Sequence, residues 1–379
     1  MRLTHLFNEF FESEKSGGIV LVFVTMLSLT LANSPLQLDY INFWEFDLGG
    51  HTLVHWINDG LMTIFFLLIG LELEREVYVG ELSSVKKASL PILGAFGGML
   101  VPVGIFILLN LNSGIFTGAG IPMATDIAFA IGILSLLGSR VPTALKVFLT
   151  ALAVIDDLGA IIVISIFYTS NIVLSNLIIA LVIYLILIIL NRLKVHSLIP
   201  YIIGGIVMWY FMLYSGVHAT ITGVLLAFAI PFGNGREKSP SHYLQHKLHK
   251  PVAFFILPVF ALANTCIAIG ADWQSGLLQS NSLGIMAGLV IGKPLGIFLF
   301  SFIGVKLGLS ALPSNLKWGS IIGTGFLGGI GFTMSIFITM LAFDTSPLAN
   351  SSKIAILIAS FIAGTIGFIW LNMSLQKRK

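Results

Sequence analysis

The sequence predicts an all-α integral membrane protein with about twelve transmembrane helices, and three observations carry that prediction. Only 10% of its 379 residues are charged while 56% are hydrophobic, where a soluble domain carries about 25% charged residues. The apolar residues stand in continuous runs rather than the short alternating segments of a membrane barrel, so backbone polar groups must be satisfied within helices. The connections between runs alternate in Lys/Arg content. One set holds Arg75, Lys86, Lys87, Arg140, Lys146, Arg192, Lys194, Arg236, Lys238, Lys247, Lys250, Lys306, Lys317, Lys377, Arg378 and Lys379, whereas the other offers only Lys353. By the positive-inside rule, this places the first set and both termini in the cytoplasm.

The apolar runs span residues 15–32, 53–71, 89–110, 117–137, 143–169, 174–191, 198–213, 216–231, 251–269, 283–305, 319–343 and 353–373. Glu9, Glu12 and Glu14 precede the first run and no small-residue cleavage site follows it, which argues against a cleaved leader. Between the first two runs, residues 42–56 alternate apolar and polar around Gly49-Gly50, the pattern of a surface β-hairpin. The fourth run breaks at Pro122 and restarts behind Thr125 and Asp126, both N-cap residue types. The eleventh is interrupted by Gly328, Gly329 and Gly331. Interrupted segments at matching places in two halves of a chain are the sequence pointer to a transporter's binding site.

The fifth run, Val147 to Tyr168, contains Asp156 and Asp157 side by side. A charge at the middle of a bilayer costs at least ~2.5–3.5 kcal/mol, and two adjacent carboxylates also repel each other. Such a pair holds a proton or a cation much of the time. Lys293 is the one cation deep in an apolar run, and Pro294 beside it removes a backbone donor. The buried inventory of Asp126, Asp156, Asp157 and Lys293 is formally −2 when all ionise. Protons and a metal cation then compete for the same carboxylates, since a carboxylate must be deprotonated to ligate.

Two aspartates on facing helices also suit intramembrane proteolysis, but the Gly-x-Gly-Asp pattern is absent and Lys293 would be unexplained. A passive channel needs a polar pore lining that these runs lack. There is no Gly-x-x-x-x-Gly-Lys-Ser/Thr loop, so no nucleotide is expected. The single Cys266 and the lack of Cys/His clusters leave no transition-metal site in view. The net charge of +3 reflects topology rather than nucleic-acid binding.

Eight stretches carry a family resemblance: Trp56-Ile-Asn-Asp-Gly-Leu-Met62, Phe65-Phe-Leu-Leu-Ile-Gly-Leu-Glu72, Ala124-Thr-Asp-Ile-Ala-Phe-Ala130, Leu137-Gly-Ser-Arg-Val-Pro142, Ile155-Asp-Asp-Leu-Gly-Ala160, Ser215-Gly-Val-His-Ala-Thr220, Ile291-Gly-Lys-Pro-Leu-Gly296 and Gly329-Ile-Gly-Phe-Thr-Met-Ser-Ile-Phe337. In order and spacing, from about residue 11 to 372, the chain resembles the NhaA family of bacterial Na⁺/H⁺ antiporters, itself a standard example of inverted-repeat architecture.

The resemblance implies a secondary transporter rather than an enzyme, with no cofactor. It would export Na⁺ or Li⁺ for protons, two per cation, across the bacterial inner membrane, and so regulate internal pH and sodium. Asp157 is then the principal cation ligand, with Asp156 beside it as ligand or proton carrier. Thr125 lends an oxygen, and Asp126 compensates the positive helix ends where the broken segments near 117–137 and 319–343 cross. Lys293 compensates the negative ends and pairs with Asp156 in the cation-free state. Inverted repeats near 89–169 and 283–373 form the ion-translocating core. Segments 15–79 and 198–269, with the 42–56 hairpin, form a homodimer interface within the lipid bilayer. Activation at alkaline pH is assigned to a cluster matched here by Glu72, Arg75, Glu76, His246 and His249. Gln245 stands where the family reference has Glu, and Lys250-Pro251 departs from its His-Pro order.

Overall fold

The computed structural model describes residues 14–169, 172–233, 239–270, 273–343 and 347–375. Glu9, Glu12, Arg236, Lys238, Lys377, Arg378 and Lys379 lie outside them, as do the side chains of Glu14, Lys86 and Lys87. The α-helices of eight residues or more are, in chain order, α1 Glu14–Ala32, α2 Gln37–Trp44, α3 Leu53–Tyr78, α4 Val85–Asn110, α5 Ile127–Leu136, α6 Thr143–Phe167, α7 Leu174–Arg192, α8 Ile199–Leu213 and α9 Ile221–Ala229. They continue with α10 (240–264), α11 Ser280–Lys306, α12 Trp318–Gly328, α13 Phe332–Phe343 and α14 Pro347–Ser374.

Among the described residues, seven helices are long and apolar enough to cross a membrane, or nine if two bent pairs each count as one span. The other expected runs form helices but fall short of that test. α8 has 15 residues and α9 nine. α9 stops because Pro231 forces Ile230 into an extended conformation. The first half of α10, Pro240–Pro251, is polar.

Two compact units divide the chain: residues 1–26, 84–160 and 267–379 form one, and 27–83 with 161–266 the other. The second unit packs α3 and α7 to α10 around a core of Leu71, Leu187, Tyr201, Met208, Leu226 and Ile230. Small residues let its helices approach to backbone contact, as is usual between membrane helices. A Cβ on Gly223 of α9 would lie 2.2 Å from the Thr63 carbonyl of α3.

The hairpin expected over 42–56 is not formed. Phe43 and Trp44 complete α2, and helix resumes at Leu53 behind the N-cap Thr52. Between them stands one isolated antiparallel bridge, Asp47 with Thr52, around Gly49 and Gly50 at φ +72° and +90°. The Gly-Gly turn is present, but the helical ends on either side take the residues that would have extended the ladder.

In the first unit, α4 and α11 cross where Gly97 faces Gly296, and a Cβ on either would lie 2.1 or 2.0 Å from the other's carbonyl oxygen. Pro294 cannot donate to the turn before it, and the helix widens to a π-turn over Gly288–Gly292 just upstream. Together these features fix the depth and direction of Lys293.

Candidate functional site

Two chain breaks meet in the first unit. The first lies in the run over 117–137, expected to break at Pro122: its leading part is a 3-10 segment, Thr117–Met123, rather than α-helix. Pro122 precedes extended Ala124 and Asp126, and α5 then begins. The second is the bend of 46° between α12 and α13 at Gly329–Gly331. Gly329 cannot be replaced without displacement, because its Cβ would lie 2.3 Å from the Leu289 carbonyl.

Each break leaves amides and carbonyls without helical partners at a depth where water is scarce. They are satisfied largely by the opposite break. The Asp126 amide donates to the Ile330 carbonyl at 2.6 Å. Thr125 Oγ1 lies 2.8 Å from the Gly328 carbonyl, and Ser335 Oγ donates to the Ile121 carbonyl at 2.8 Å. Asp126 serves both helix starts at once. Its Oδ1 accepts from the Phe129 amide of α5 at 3.0 Å, and its Oδ2 from the Thr333 amide of α13 at 3.1 Å and from the Thr333 hydroxyl. Ser360 of α14 accepts from the Phe332 amide at 3.1 Å, a cap that local sequence gave no reason to expect. A single negative charge between two positive helix ends is favourable electrostatics.

Lys293, fully buried, donates to Thr125 Oγ1 at 2.8 Å and forms an ion pair with Asp156 Oδ2. Asp156 Oδ2 also lies 2.7 Å from Thr125 Oγ1. The Thr125 hydroxyl therefore has one hydrogen and two neighbouring acceptors, Asp156 and Gly328. The second Asp156 oxygen has no hydrogen-bond partner among the described residues. Asp157 is equally buried and, as the next residue of α6, projects about 100° further around the helix. Asp156, Thr125 and Lys293 thus form one hydrogen-bonded cluster tied to the second break at Gly328, with Asp126 next to Thr125 and Asp157 next to Asp156 along the chain.

The residues matched to the pH-responsive cluster lie in the other unit. Glu72, Arg75 and Glu76 stand on α3, with Arg75 exposed and both glutamates half-buried; His246 and His249 are exposed on α10. The buried carboxylate there is one the sequence reading passed over: Glu74, 3% exposed, accepts from Ser241 Oγ of α10 at 2.9 Å. Local sequence gave no signal for it: Gly70, four residues earlier on the same helix face, is seen to pack against Val224 and Ala227 of α9 only in the fold. His218 Nε2 sits 2.8 Å from the Tyr168 carbonyl, a bond to the chain just past the end of α6.

The model of the family described as Na⁺/H⁺ antiporter 1 matches residues 8–371. The Na(+)/H(+) antiporter NhaA 1 of Flavobacterium johnsoniae is 67% identical over the whole of both chains. The Na(+)/H(+) antiporter NhaA of Flavobacterium psychrophilum is 62% identical, covering 99% of this chain and 98% of that protein. That of Dechloromonas aromatica is 59% identical, covering 99% and 97%. With apolar helices of membrane length and a match along nearly its full extent, the chain is a multi-pass membrane protein that belongs to the Na⁺/H⁺ antiporter 1 family.

Proposed function

We propose that this chain exports Na⁺ or Li⁺ in exchange for protons at the cluster where the two breaks meet, with Asp157 and Asp156 as the shared ligands. The observation that carries the proposal is the buried Asp156–Lys293 pair tied through Thr125 to the second break, with Asp157 alongside. A buried charge must be paired or neutralised. In the cation-free state Lys293 neutralises Asp156, and a proton neutralises Asp157. A dehydrated Na⁺ needs hard oxygen ligands, and carboxylate, hydroxyl and unwound-backbone oxygens are all within this cluster. Na⁺ takes its place at Asp157 only as the proton leaves. Its arrival also displaces Lys293 from Asp156, and the ammonium, left buried without its partner, gives up the second proton of the exchange.

Two protons inward per Na⁺ outward would carry one net charge per cycle, and a membrane potential would contribute ~2.3 kcal/mol per 100 mV. Asp126, counted with Asp157, Asp156 and Thr125 in the cation- and proton-binding set, also holds the two helix starts together. The Lys/Arg-rich connections face the cytoplasm of a bacterial inner membrane, both termini lie on that side, and no cofactor is required. A homodimer embedded in lipid, regulation of internal pH and sodium, and alkaline activation through Glu72, Arg75, Glu76, His246 and His249 belong to the same reading.

The test is Na⁺-driven dissipation of a proton gradient in everted vesicles, comparing the parent with Asp157→Asn. Asparagine keeps the size but neither charge nor titration, so the variant is expected to insert normally and lose exchange. Parental exchange by Asp157→Asn sinks the assignment.

A further inference from the structure

Every Lys and Arg of the second unit belongs to the set assigned to the cytoplasm, so its outward end carries neither. That end nonetheless holds a carboxylate, Asp59, in the second turn of α3 with its side chain only 16% exposed. A buried charge needs a partner, and here the partner has to be histidine. His55, one turn earlier on α3, places Nε2 3.2 Å from Asp59 Oδ2, and that nitrogen is closed off from solvent. His218, ahead of α9, and His51, in the turn before α3, are the other charged groups that bear on Asp59 among the described residues.

His51 stacks on His55 with ring centroids 4.2 Å apart and planes 9° apart, and meets Tyr214 at the end of α8 at 6.3 Å. Asp47, in the same turn, is engaged locally and accepts from the Gly50 amide at 2.9 Å. Two imidazolium rings face to face repel, so the stack favours a single proton, and Asp59 draws it to His55. The turn is tied to α3 at that same residue, where the His55 amide donates to Thr52 Oγ1 at 3.3 Å. Asp59 is itself anchored through its backbone. It lies in a π-turn, Ile57–Leu61, and its carbonyl accepts from Trp209 Nε1 at 3.1 Å and from the Thr63 hydroxyl. π-turns inside α-helices recur at functional sites.

Resting on the antiport reading for its effect on transport, we infer that His55 and Asp59 form a proton-operated clamp through which pH on the outward side regulates exchange. The ion pair exists only while His55 is protonated and Asp59 is not. It is therefore present in mildly acidic surroundings and lost as pH rises through histidine's range near neutrality. Once His55 is neutral, Asp59 faces no counter-ion, and the turn with its stacked His51 loosens from α3. The same helix carries Glu72, Arg75 and Glu76 at its cytoplasmic end, roughly 24 Å further along by helical rise from Asp59 to Arg75. α3 thus bears titratable groups at both faces of the membrane.

The clamp is read first without transport, by amide hydrogen exchange of the full chain in lipid nanodiscs, corrected for the chemical pH dependence of exchange. In the parent, residues 45–56 are expected to lose roughly two- to fivefold protection between about pH 6 and about pH 8, the range for one partly exposed ion pair. That difference is expected to vanish in His55→Gln and in Asp59→Asn. A parent without it, or a His55→Gln protein that keeps it, overturns the clamp. Should His55→Gln fail to assemble, an Asp59→Asn protein that keeps the difference overturns it equally. Na⁺-coupled proton flux in proteoliposomes of one orientation then tests the regulation. The ratio of the His55→Gln rate to the parental rate is expected to change at least about twofold over that range of outward pH, and to stay flat when only the inner pH is varied. A ratio flat on both sides, or changing equally on both, overturns the regulatory role. A parent in which Na⁺ moves no protons sinks the antiport reading and leaves the hydrogen-exchange result to decide the clamp.

Discussion

Gly97→Ala is expected to abolish transport although residue 97 touches no ion ligand. The added methyl would lie 2.1 Å from the Gly296 carbonyl oxygen, with Phe300 Cβ at 2.8 Å. Ordinary non-bonded separations are roughly 3.5 Å, so α11 must retreat from α4 by about 1.4 Å. Both sides of the contact are backbone, and no rotamer change relieves it. Lys293 lies one turn before Gly296 and moves with it. A 2.8 Å bond to Thr125 stretched by that amount is no longer a hydrogen bond. Asp156 would then keep its buried charge without its cation, and breaking a buried pair costs about 3–5 kcal/mol. The assay pairs thermal melting in detergent with Na⁺-driven proton flux in everted vesicles. Gly104→Ala on the same helix is the control, because nothing lies within 4 Å of its Cβ. A Gly97→Ala protein with parental melting and parental flux would refute this account of how Lys293 is positioned.

Asp126→Asn replaces two acceptor oxygens by one, so either the α5 or the α13 amide meets an NH₂ group. The expected cost is about 1–3 kcal/mol, read as a lowered melting midpoint with weakened exchange; an unchanged midpoint contradicts the shared-cap reading. Ser241→Ala leaves the buried Glu74 without its hydroxyl donor and is expected to destabilise by about 1–3 kcal/mol, visible in the same melting assay. His249→Ala, on an exposed position of α10, is expected to displace the activity–pH curve, since histidine titrates near neutrality. A superimposable curve removes His249 from the regulatory cluster.

Much of the cluster was legible because membrane depth makes charge conspicuous. Asp156, Asp157 and Lys293 stand out in apolar runs, and Pro122 and the glycines around 329 mark the breaks. What local pattern does not contain is who answers whom. Asp126 accepts from Thr333, 207 residues away, and the Ile330 carbonyl receives the Asp126 amide; both are tertiary facts. The alternation in 42–56 misled because a period of two over a few residues is also compatible with two helix ends joined by a tight turn. Glu74 escaped notice because Glu72, Glu74 and Glu76 read together as a polar helix end. Only the packing of α3 against its neighbours sets Glu74 apart.

The lone hydrogen of the Thr125 hydroxyl makes protonation of Asp156 mechanically visible. When Asp156 carries a proton, it supplies its own hydrogen to Thr125, and the threonine is free to hold the Gly328 carbonyl at the end of α12. When Asp156 is ionised, as in its pair with Lys293, the carboxylate and the Gly328 carbonyl compete for that one hydrogen and the tether is weaker. A single proton at one side chain is thereby converted into a firmer or a weaker grip on a helix end contributed by a segment some two hundred residues later in the chain.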